Sequence, residues 1–242
     1  TRLTAPLMVA ADGRFSQCRK RMGIPVSMQD FGRSIIVCRF AHEKTHDGIA
    51  YECFNYERTL AMLPLPNNMA SAVITLAAHE VDTVMTMDAT DFAQDVAARF
   101  DHRLGDMALA GERYLYPLVA VYAERFTAKR FALLGDAAVG MHPVTAHGFN
   151  FGLKGQDILT QNIVRAMQVG IDIGSSTVLD DYHRRHRAAT WPLYKMTNAL
   201  VKLYTSESPP AKLLRRVGLH LSNAVPPVKK FVTRYLVDAS RG

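Results

Sequence analysis

The sequence lacks the features that mark several classes of protein. It has three cysteines, Cys18, Cys38 and Cys53, with no C-x-x-C pair, so neither a disulfide framework nor a zinc knuckle is indicated. No apolar run approaches the roughly 18 residues of a membrane span. It contains no internal repeat, no G-x-S-x-G nucleophile motif and no G-x-G-x-x-G turn. The opening residues also lack a signal-peptide layout, and we therefore expect a cytoplasmic globular protein.

The composition allows a sizeable core in one large or two small domains. The chain has 242 residues, of which 48% are hydrophobic and 21% are charged. Its net charge of +7 is concentrated in the C-terminal third, where HRRHR, KLLRR and VKKFVTR are interleaved with apolar residues at helical spacing. This pattern suits nucleic acid, an anionic membrane surface, an acidic partner or a merely solvated helix face. The stacking pattern of an RNA-binding strand is absent, so we expect no nucleic-acid partner.

Hydrophobic periodicity predicts strands first and helices later. A short strand over Leu7 to Ala11 ends at Asp12-Gly13, and a short basic helix follows. The segments RSIIVCRF, IAYECF, TLAMLPL and ASAVITL predict an antiparallel sheet, and the Met-rich DTVMTMD is interpreted as strand core. Thr90 is the predicted cap of a helix that presents Phe92, Val96 and Phe100 on one face.

The stretch from Arg130 to Leu159 has the order of parts that a ligand site needs. FALLG is a buried strand that stops at Gly135-Asp136, and ligands of α/β sheets gather at the carboxyl ends of such strands. The Asp136 carboxylate can accept hydrogen bonds from ligand hydroxyls. The segment from Gly148 to Gly152 leads into a helix predicted from about Leu153, whose free N–H groups favour negative charge. The pattern fits a polyol joined to an anion-forming ring; the alternative is an ordinary strand–loop–helix with capping glycines.

Two motifs together resemble a known family. Asp12-Gly13-Arg14-Phe15-Ser16-Gln17-Cys18-Arg19 is similar to the D-G-x-x-S-x-x-R signature of flavin-dependent aromatic hydroxylases. Their ribityl-binding segment resembles Gly135-Asp136-Ala137-Ala138, His142-Pro143 and Gly148-Phe149-Asn150-Phe151-Gly152. TLAMLPLP, LYTSESPPAKLLRRVGL and VPPVKKFV are most similar to the ubiquinone-biosynthesis hydroxylases of this class A superfamily.

The resemblance implies an α/β (α+β) fold. It is the partial fold of an FAD-dependent monooxygenase, p-hydroxybenzoate hydroxylase-like, with an antiparallel substrate-domain sheet and C-terminal helices. The implied segments are 1–27, part of the FAD-binding domain; 28–125, the substrate-binding sheet; 126–172, the ribityl-binding segment and helix; and 173–242, a C-terminal helical region.

The resemblance also implies an activity. Members bind FAD, take electrons from NAD(P)H or another reductant, and hydroxylate an aromatic ring through a flavin hydroperoxide. The implied substrate is a polyprenylated phenol or quinol. The enzyme would meet it at a membrane surface, to which it binds peripherally, or in a ubiquinone-biosynthesis complex, and a homo-oligomer is compatible with this role. The alternatives are a flavin-dependent reductase or dehydrogenase of the same fold, and a non-catalytic binding module that uses the basic C-terminal helices.

Site residues follow from the resemblance, position by position. Asp136 matches the ribityl-binding carboxylate, and Asp12 with Arg19 matches the pair beside the pyrophosphate. Pro143 and His147 match positions near the reactive ring and are the candidate catalytic residues. The full set expected to bind the cofactor is Asp12, Gly13, Arg19, Gly135, Asp136, Ala137, Pro143, Gly148, Phe149 and Asn150.

The sequence departs from the family pattern in places. Val139 replaces a usual His, and His147 stands where the family has Gln, either as a hydrogen-bonding group toward the substrate or as a local structural substitution. Because the glycine-rich ADP-binding turn is absent, we expect a fragment that binds FAD weakly or not at all and is inactive by itself. No metal site is expected, since arginines flank His183 and His186.

Overall fold

A computed structural model describes residues 4–54, 58–142 and 148–205. The chain forms two compact units, one of residues 30–118 and one of residues 1–29 together with 119–242. The strands are β1 (Met8–Ala10), β2 (Val26–His42), β3 (Tyr51–Phe54), β4 (Thr59–Leu65), β5 (Met69–Ala77), β6 (Met107–Leu109), β7 (Tyr114–Ala123), β8 (Thr127–Ala128), β9 (Phe131–Leu133) and β10 (Val139–Gly140). The α-helices are α1 (Gln17–Arg21), α2 (Val81–Thr86), α3 (Ala89–Arg99), α4 (Gly148–Gln168) and α5 (Ser176–Thr205).

The unit of residues 30–118 is built on the predicted antiparallel sheet. Strand β2 pairs with β5, β5 with β4 and β4 with β3, while β6 pairs with the end of β2. On β5, alternate residues Ala70, Ala72, Ile74 and Leu76 are buried, as the period of two in a strand requires. The antiparallel interpretation of this region is confirmed.

Helix α3 covers this sheet with its apolar face. Phe92, Val96 and Phe100 are buried, and the Phe92 ring stacks on Phe40 of β2 with ring centroids 5.8 Å apart. The predicted cap is wrong: Asp88, and not Thr90, is the N-cap, since its Oδ1 accepts the backbone N–H groups of Thr90 and Asp91 at 2.8 Å each. Asp88 has the extended backbone that an N-cap requires, whereas Thr90 already lies inside the helix.

The segment predicted as strand core is a helix. Val81–Thr86 forms α2, in which Val81 and Val84 are buried three residues apart on one side. Arg113 donates to the carbonyls of Val84 (2.9 Å) and Met87 (2.7 Å), at the end where helix carbonyls lose their partners. Tertiary contacts therefore overrode the strand preference of the Val and Thr residues.

In the other unit, β1 and β9 form a parallel pair. Met8 pairs with Phe131 and Ala10 with Leu133, and the Leu134 amide donates to the Ala10 carbonyl at 2.8 Å. Strand β8 pairs with the other side of β9, whose residues are all buried. Because parallel strands end at the same edge, the segments after β1 and β9 meet there.

Helix α4 begins earlier than the sequence predicts, at Gly148 and not near Leu153, so the glycine-spaced lead-in is itself helical. Helix α5 packs against α4: Asn162 donates to the Val178 carbonyl at 3.1 Å. Tyr182 of α5 also donates to the Leu133 carbonyl of β9 at 2.7 Å. Among the described helices, none combines the length and apolarity needed to cross a membrane.

The α4–α5 contact predicts that Gly155→Ala destabilises the protein. A Cβ at Gly155 would lie 2.9 Å from two ring atoms of His186, which is itself buried. Overpacking of this kind costs roughly 1–3 kcal/mol and outweighs the roughly 1 kcal/mol that alanine gains over glycine in a helix. We expect a lower midpoint of urea unfolding.

Gly152→Ala on the same helix is the matched control. Its Cβ would meet nothing closer than the Gly135 Cα at 3.6 Å, an ordinary contact. It should be neutral or stabilising in the same unfolding assay. Equal effects of the two substitutions would contradict the proposed close packing at Gly155.

Candidate functional site

Asp12 organises the segment that follows β1. Its carboxylate accepts a hydrogen bond from the Ser16 hydroxyl at 2.5 Å and another from the Cys18 amide at 3.0 Å. Ser16 is the N-cap of α1, and its Oγ accepts the Arg19 amide at 2.9 Å. Gly13 adopts a φ of 82°, a left-handed conformation that glycine tolerates best. The residues of this motif therefore form a turn that is held by hydrogen bonds among themselves.

The hydrogen bonds change the acidity of Asp12. Burial by itself raises the pKa of this carboxyl, but the bonds from Ser16 and Cys18 outweigh it and lower the pKa to about 2. Asp12 is therefore a carboxylate at any physiological pH.

Asp136 lies at the carboxyl end of β9, in a single 3-10 turn formed by Gly135–Ala137. Gly135 has a φ of 59°, and the Asp136 side chain is 32% exposed. Its Oδ2 accepts two hydrogen bonds from Arg14, from Nε at 3.2 Å and from Nη2 at 2.7 Å. The predicted ribityl-binding carboxylate is thus accessible and held by a cation from the other motif.

Arg14 was missed by the sequence analysis, which treated it as a variable position of the first motif. Its third guanidinium nitrogen, Nη1, donates to the Val119 carbonyl at 3.0 Å. The only sequence signal is a basic residue next to Asp12-Gly13. Its pairing with Asp136 depends on β1 lying beside β9, which the sequence analysis did not predict.

Arg19 joins the two motif segments through their backbones. Its side chain is fully buried, and it donates to the Ala137 carbonyl at 2.7 Å and to the Arg14 carbonyl at 2.9 Å. Burial lowers the pKa of Arg19, and the charge of Asp12 opposes that shift. Arg19, which the resemblance places beside the pyrophosphate, is therefore buried between the two turns in contact with protein backbone.

The first turn of α4 carries the remaining described residues that are predicted to bind the cofactor. Gly148 is its first residue, Phe149 is 77% exposed and Asn150 is partly buried. The helix comes close to the turn at Gly135, because a Cβ on Gly152 would lie only 3.6 Å from the Gly135 Cα. Pro143 and His147 lie outside the described residues.

These residues fit the part of FAD that the resemblance assigns to them. An accessible carboxylate can accept a ribityl hydroxyl, and Gly135 beside it is partly exposed, whereas Ala137, Ala138 and Gly140 are buried. The described residues include no group of three or more His, Cys, Asp or Glu that could hold a metal ion. His183 instead accepts the Phe126 amide at 3.2 Å, and His186 stacks on Tyr182.

Comparison with known proteins identifies the family. A protein-family model described as an FAD binding domain matches residues 1–197. The chain belongs to this FAD-binding domain family.

Relatives of this FAD-binding domain include named hydroxylases. The chain is 47% identical over 234 residues to ubiquinone hydroxylase UbiM of Neisseria meningitidis, covering 97% of this chain and 51% of that protein. It is 35% identical over 231 residues to ubiquinone hydroxylase UbiL of Rhodospirillum rubrum, covering 96% and 54%. The chain thus spans about half the length of these relatives.

A solved structure shares the fold. OxyS anhydrotetracycline hydroxylase from Streptomyces rimosus superposes with a TM-score of 0.69 at 19% identity, over 95% of this chain and 45% of that one. This likeness confirms the predicted fold class of an FAD-dependent monooxygenase.

The contacts of Asp12 predict a pH effect. A carboxyl whose pKa falls from 3.8 to about 2 on folding stabilises the fold above pH 3.8, and that contribution is lost as the pH falls toward 2. Ser16→Ala removes the 2.5 Å bond and should raise the pKa of Asp12 toward 3.8. Carbon-detected NMR titration of the Asp carboxyls measures this shift.

Thr45→Ala is the control, because it removes a hydroxyl that donates to another carboxylate, Asp47. It should leave the titration of Asp12 unchanged. If Ser16→Ala also left it unchanged, the hydroxyl bond would not be the cause of the acidity.

Proposed function

We propose that this chain is part of an FAD-dependent monooxygenase that hydroxylates the aromatic ring of a polyprenylated phenol or quinol in ubiquinone biosynthesis. The observation that carries the proposal is the meeting of Asp12 and Asp136 motifs at one edge of the β1–β9 pair. Its support comes from the FAD-binding domain family and from relatives named ubiquinone hydroxylase. The substrate follows from those names.

Each site residue then has a task. Asp136 accepts a ribityl hydroxyl, and the partly exposed Gly135 lets the ribityl chain of the cofactor lie against the backbone, while Ala137 is buried beside it. Asp12, Gly13 and Arg19 shape the turn beside it. Arg19 does so through its hydrogen bonds to the Ala137 and Arg14 carbonyls. The fixed geometry means that little reorganisation accompanies binding.

The first amides of α4, at Gly148, Phe149 and Asn150, stabilise negative charge on the ring, because a helix N-terminus carries free N–H groups and a positive dipole end. Bound FAD supplies the activation of O₂, with NAD(P)H or another reductant giving two electrons. Pro143 and His147 are assigned to the reacting edge of the ring by motif position alone.

The first test of this function combines binding and chemistry on the full protein. With ¹⁸O₂, a reductant and a prenylated phenol, we expect one ¹⁸O atom in the ring product, detected by mass spectrometry, and the other in water. Asp136→Ala should weaken FAD binding by about tenfold to a hundredfold, since a charge-assisted hydrogen bond is worth roughly 1.5–3 kcal/mol.

Asp157→Ala is the control for that substitution, because Asp157 is an exposed carboxylate farther along α4. It should leave FAD affinity unchanged. Reductant oxidation without ¹⁸O in the product would favour the reductase or dehydrogenase of the same fold. An FAD affinity unaffected by Asp136→Ala would remove that residue from the site.

We further propose that the basic C-terminal region docks on an anionic membrane surface, where a polyprenyl tail can be met. Residues 206–242 lie outside the described residues, including Lys212, Arg215, Arg216, Lys229 and Lys230. The described part of this region is on α5. There Trp191 has the Arg187 guanidinium 5.0 Å and the Lys195 ammonium 4.4 Å from its ring centroid.

Arg184→Glu together with Lys195→Glu should weaken sedimentation of the full protein with vesicles that contain anionic lipid. Each basic residue near such a surface contributes roughly 1 kcal/mol, and salt screens this attraction. Lys44→Glu with Lys129→Glu makes the same change in charge at exposed residues elsewhere and should have little effect. Equal binding to neutral and anionic vesicles would contradict the docking proposal.

A further inference from the structure

Each of the three guanidinium nitrogens of Arg14 donates a hydrogen bond inside the protein. Nε and Nη2 both donate to Oδ2 of Asp136, and Nη1 donates to the Val119 carbonyl. The Arg14 carbonyl in turn accepts a bond from the buried Arg19. Arg14 is therefore fixed at both its backbone and its side-chain end.

This arrangement leaves one carboxylate oxygen for a ligand. Both bonds from Arg14 go to Oδ2, and among the described residues no partner is recorded for Oδ1 of Asp136. The pair is 28% and 32% exposed, so it is accessible from solvent without being fully solvated. An aspartate has two freely rotating side-chain bonds, and a two-bond contact to one oxygen restricts both.

The neighbouring strand is shaped to accommodate the pair. A Cβ at Gly140 would lie 3.4 Å from the Arg14 Cβ, 3.5 Å from the Asp136 Cγ and 2.9 Å from the Val121 Cγ2. An alanine at Gly140 would therefore come too close to the Val121 side chain and would lie in ordinary contact with Arg14 and Asp136. The Arg14–Asp136 pair thus joins the turn after β1 to the turn after β9, and β10 lies directly beside it.

We propose that Arg14 is a positioning residue, which fixes the Asp136 carboxylate so that Oδ1 is presented to a hydroxyl of the bound ligand. The inference rests on the proposed flavin site and adds a residue to it. A carboxylate that is already ordered loses less conformational entropy when the ligand binds, and the affinity is higher for that reason.

A direct contact between Arg14 and a phosphate of the ligand is the competing role. Three of its five N–H donors have partners among the described residues, so Nη1 and Nη2 each keep one N–H that can reach a phosphate. The two roles differ in whether the effect of Arg14 passes through Asp136. A double-mutant cycle measures that dependence.

The experiment measures FAD affinity of the full protein by fluorescence quenching for wild type, Arg14→Met, Asp136→Asn and the double variant. We expect Arg14→Met to weaken binding by about tenfold alone, and by less than about twofold when Asp136 is already Asn. Arg14→Lys keeps the charge but not the fork of donors, and it should restore binding only in part. Arg21→Met, an exposed residue at the end of α1, should bind like wild type.

A second readout separates positioning from general loss of structure. Riboflavin carries the ribityl hydroxyls and lumiflavin lacks them, so Arg14→Met should weaken riboflavin and leave lumiflavin unchanged. Equal weakening of both, or full independence of the Arg14 and Asp136 effects, would overturn the inference. A wild-type protein that bound no flavin would instead overturn the proposed function, and the two failures are therefore distinguishable.

Discussion

The parallel pairing of β1 with β9 is the interaction on which the rest of the site depends. Met8–Ala10 and Phe131–Leu133 are far apart in sequence, and the whole of the other unit lies between them in the chain. Parallel strands end at the same edge, so their pairing alone brings the turns after them together. Asp12 and Asp136 come to lie at one edge for this reason, without any direct bond between them.

Two arginines then secure that edge in different ways. Arg19 is fully buried and donates to carbonyls of both turns, so its removal would leave the Ala137 and Arg14 carbonyls without their partner. Arg14 is partly exposed and forms an ion pair with Asp136. Arg19 therefore links the backbones of the two turns, whereas Arg14 holds the partly exposed side chain of Asp136. The Nε of Arg19 has no partner among the described residues, which marks the cost of burying this cation.

Sequence periodicity was informative where one face of an element meets a core. The strands of the antiparallel sheet and the apolar face of α3 were predicted because burial repeats every second residue in one and every third or fourth in the other. The same approach failed at Val81–Thr86, where six residues, four of them β-branched, are too few to separate the two periods. It also misplaced the N-cap of α3 and the start of α4, since ends are set by local hydrogen bonds and neighbouring turns.

The sequence by itself determined the chemical parts of the site: two acidic motifs, small residues beside one of them, and a helix following it. The resemblance carried by those motifs was enough to assign the family, which the match over residues 1–197 confirms. Only the tertiary structure decided that Arg14 pairs with Asp136, that Arg19 is buried between the two turns, and that Gly140 and Gly155 give room to their neighbours. A motif records which residues are present, whereas the partner of a charged side chain depends on which strands lie side by side, and that is set by the packing of the whole unit.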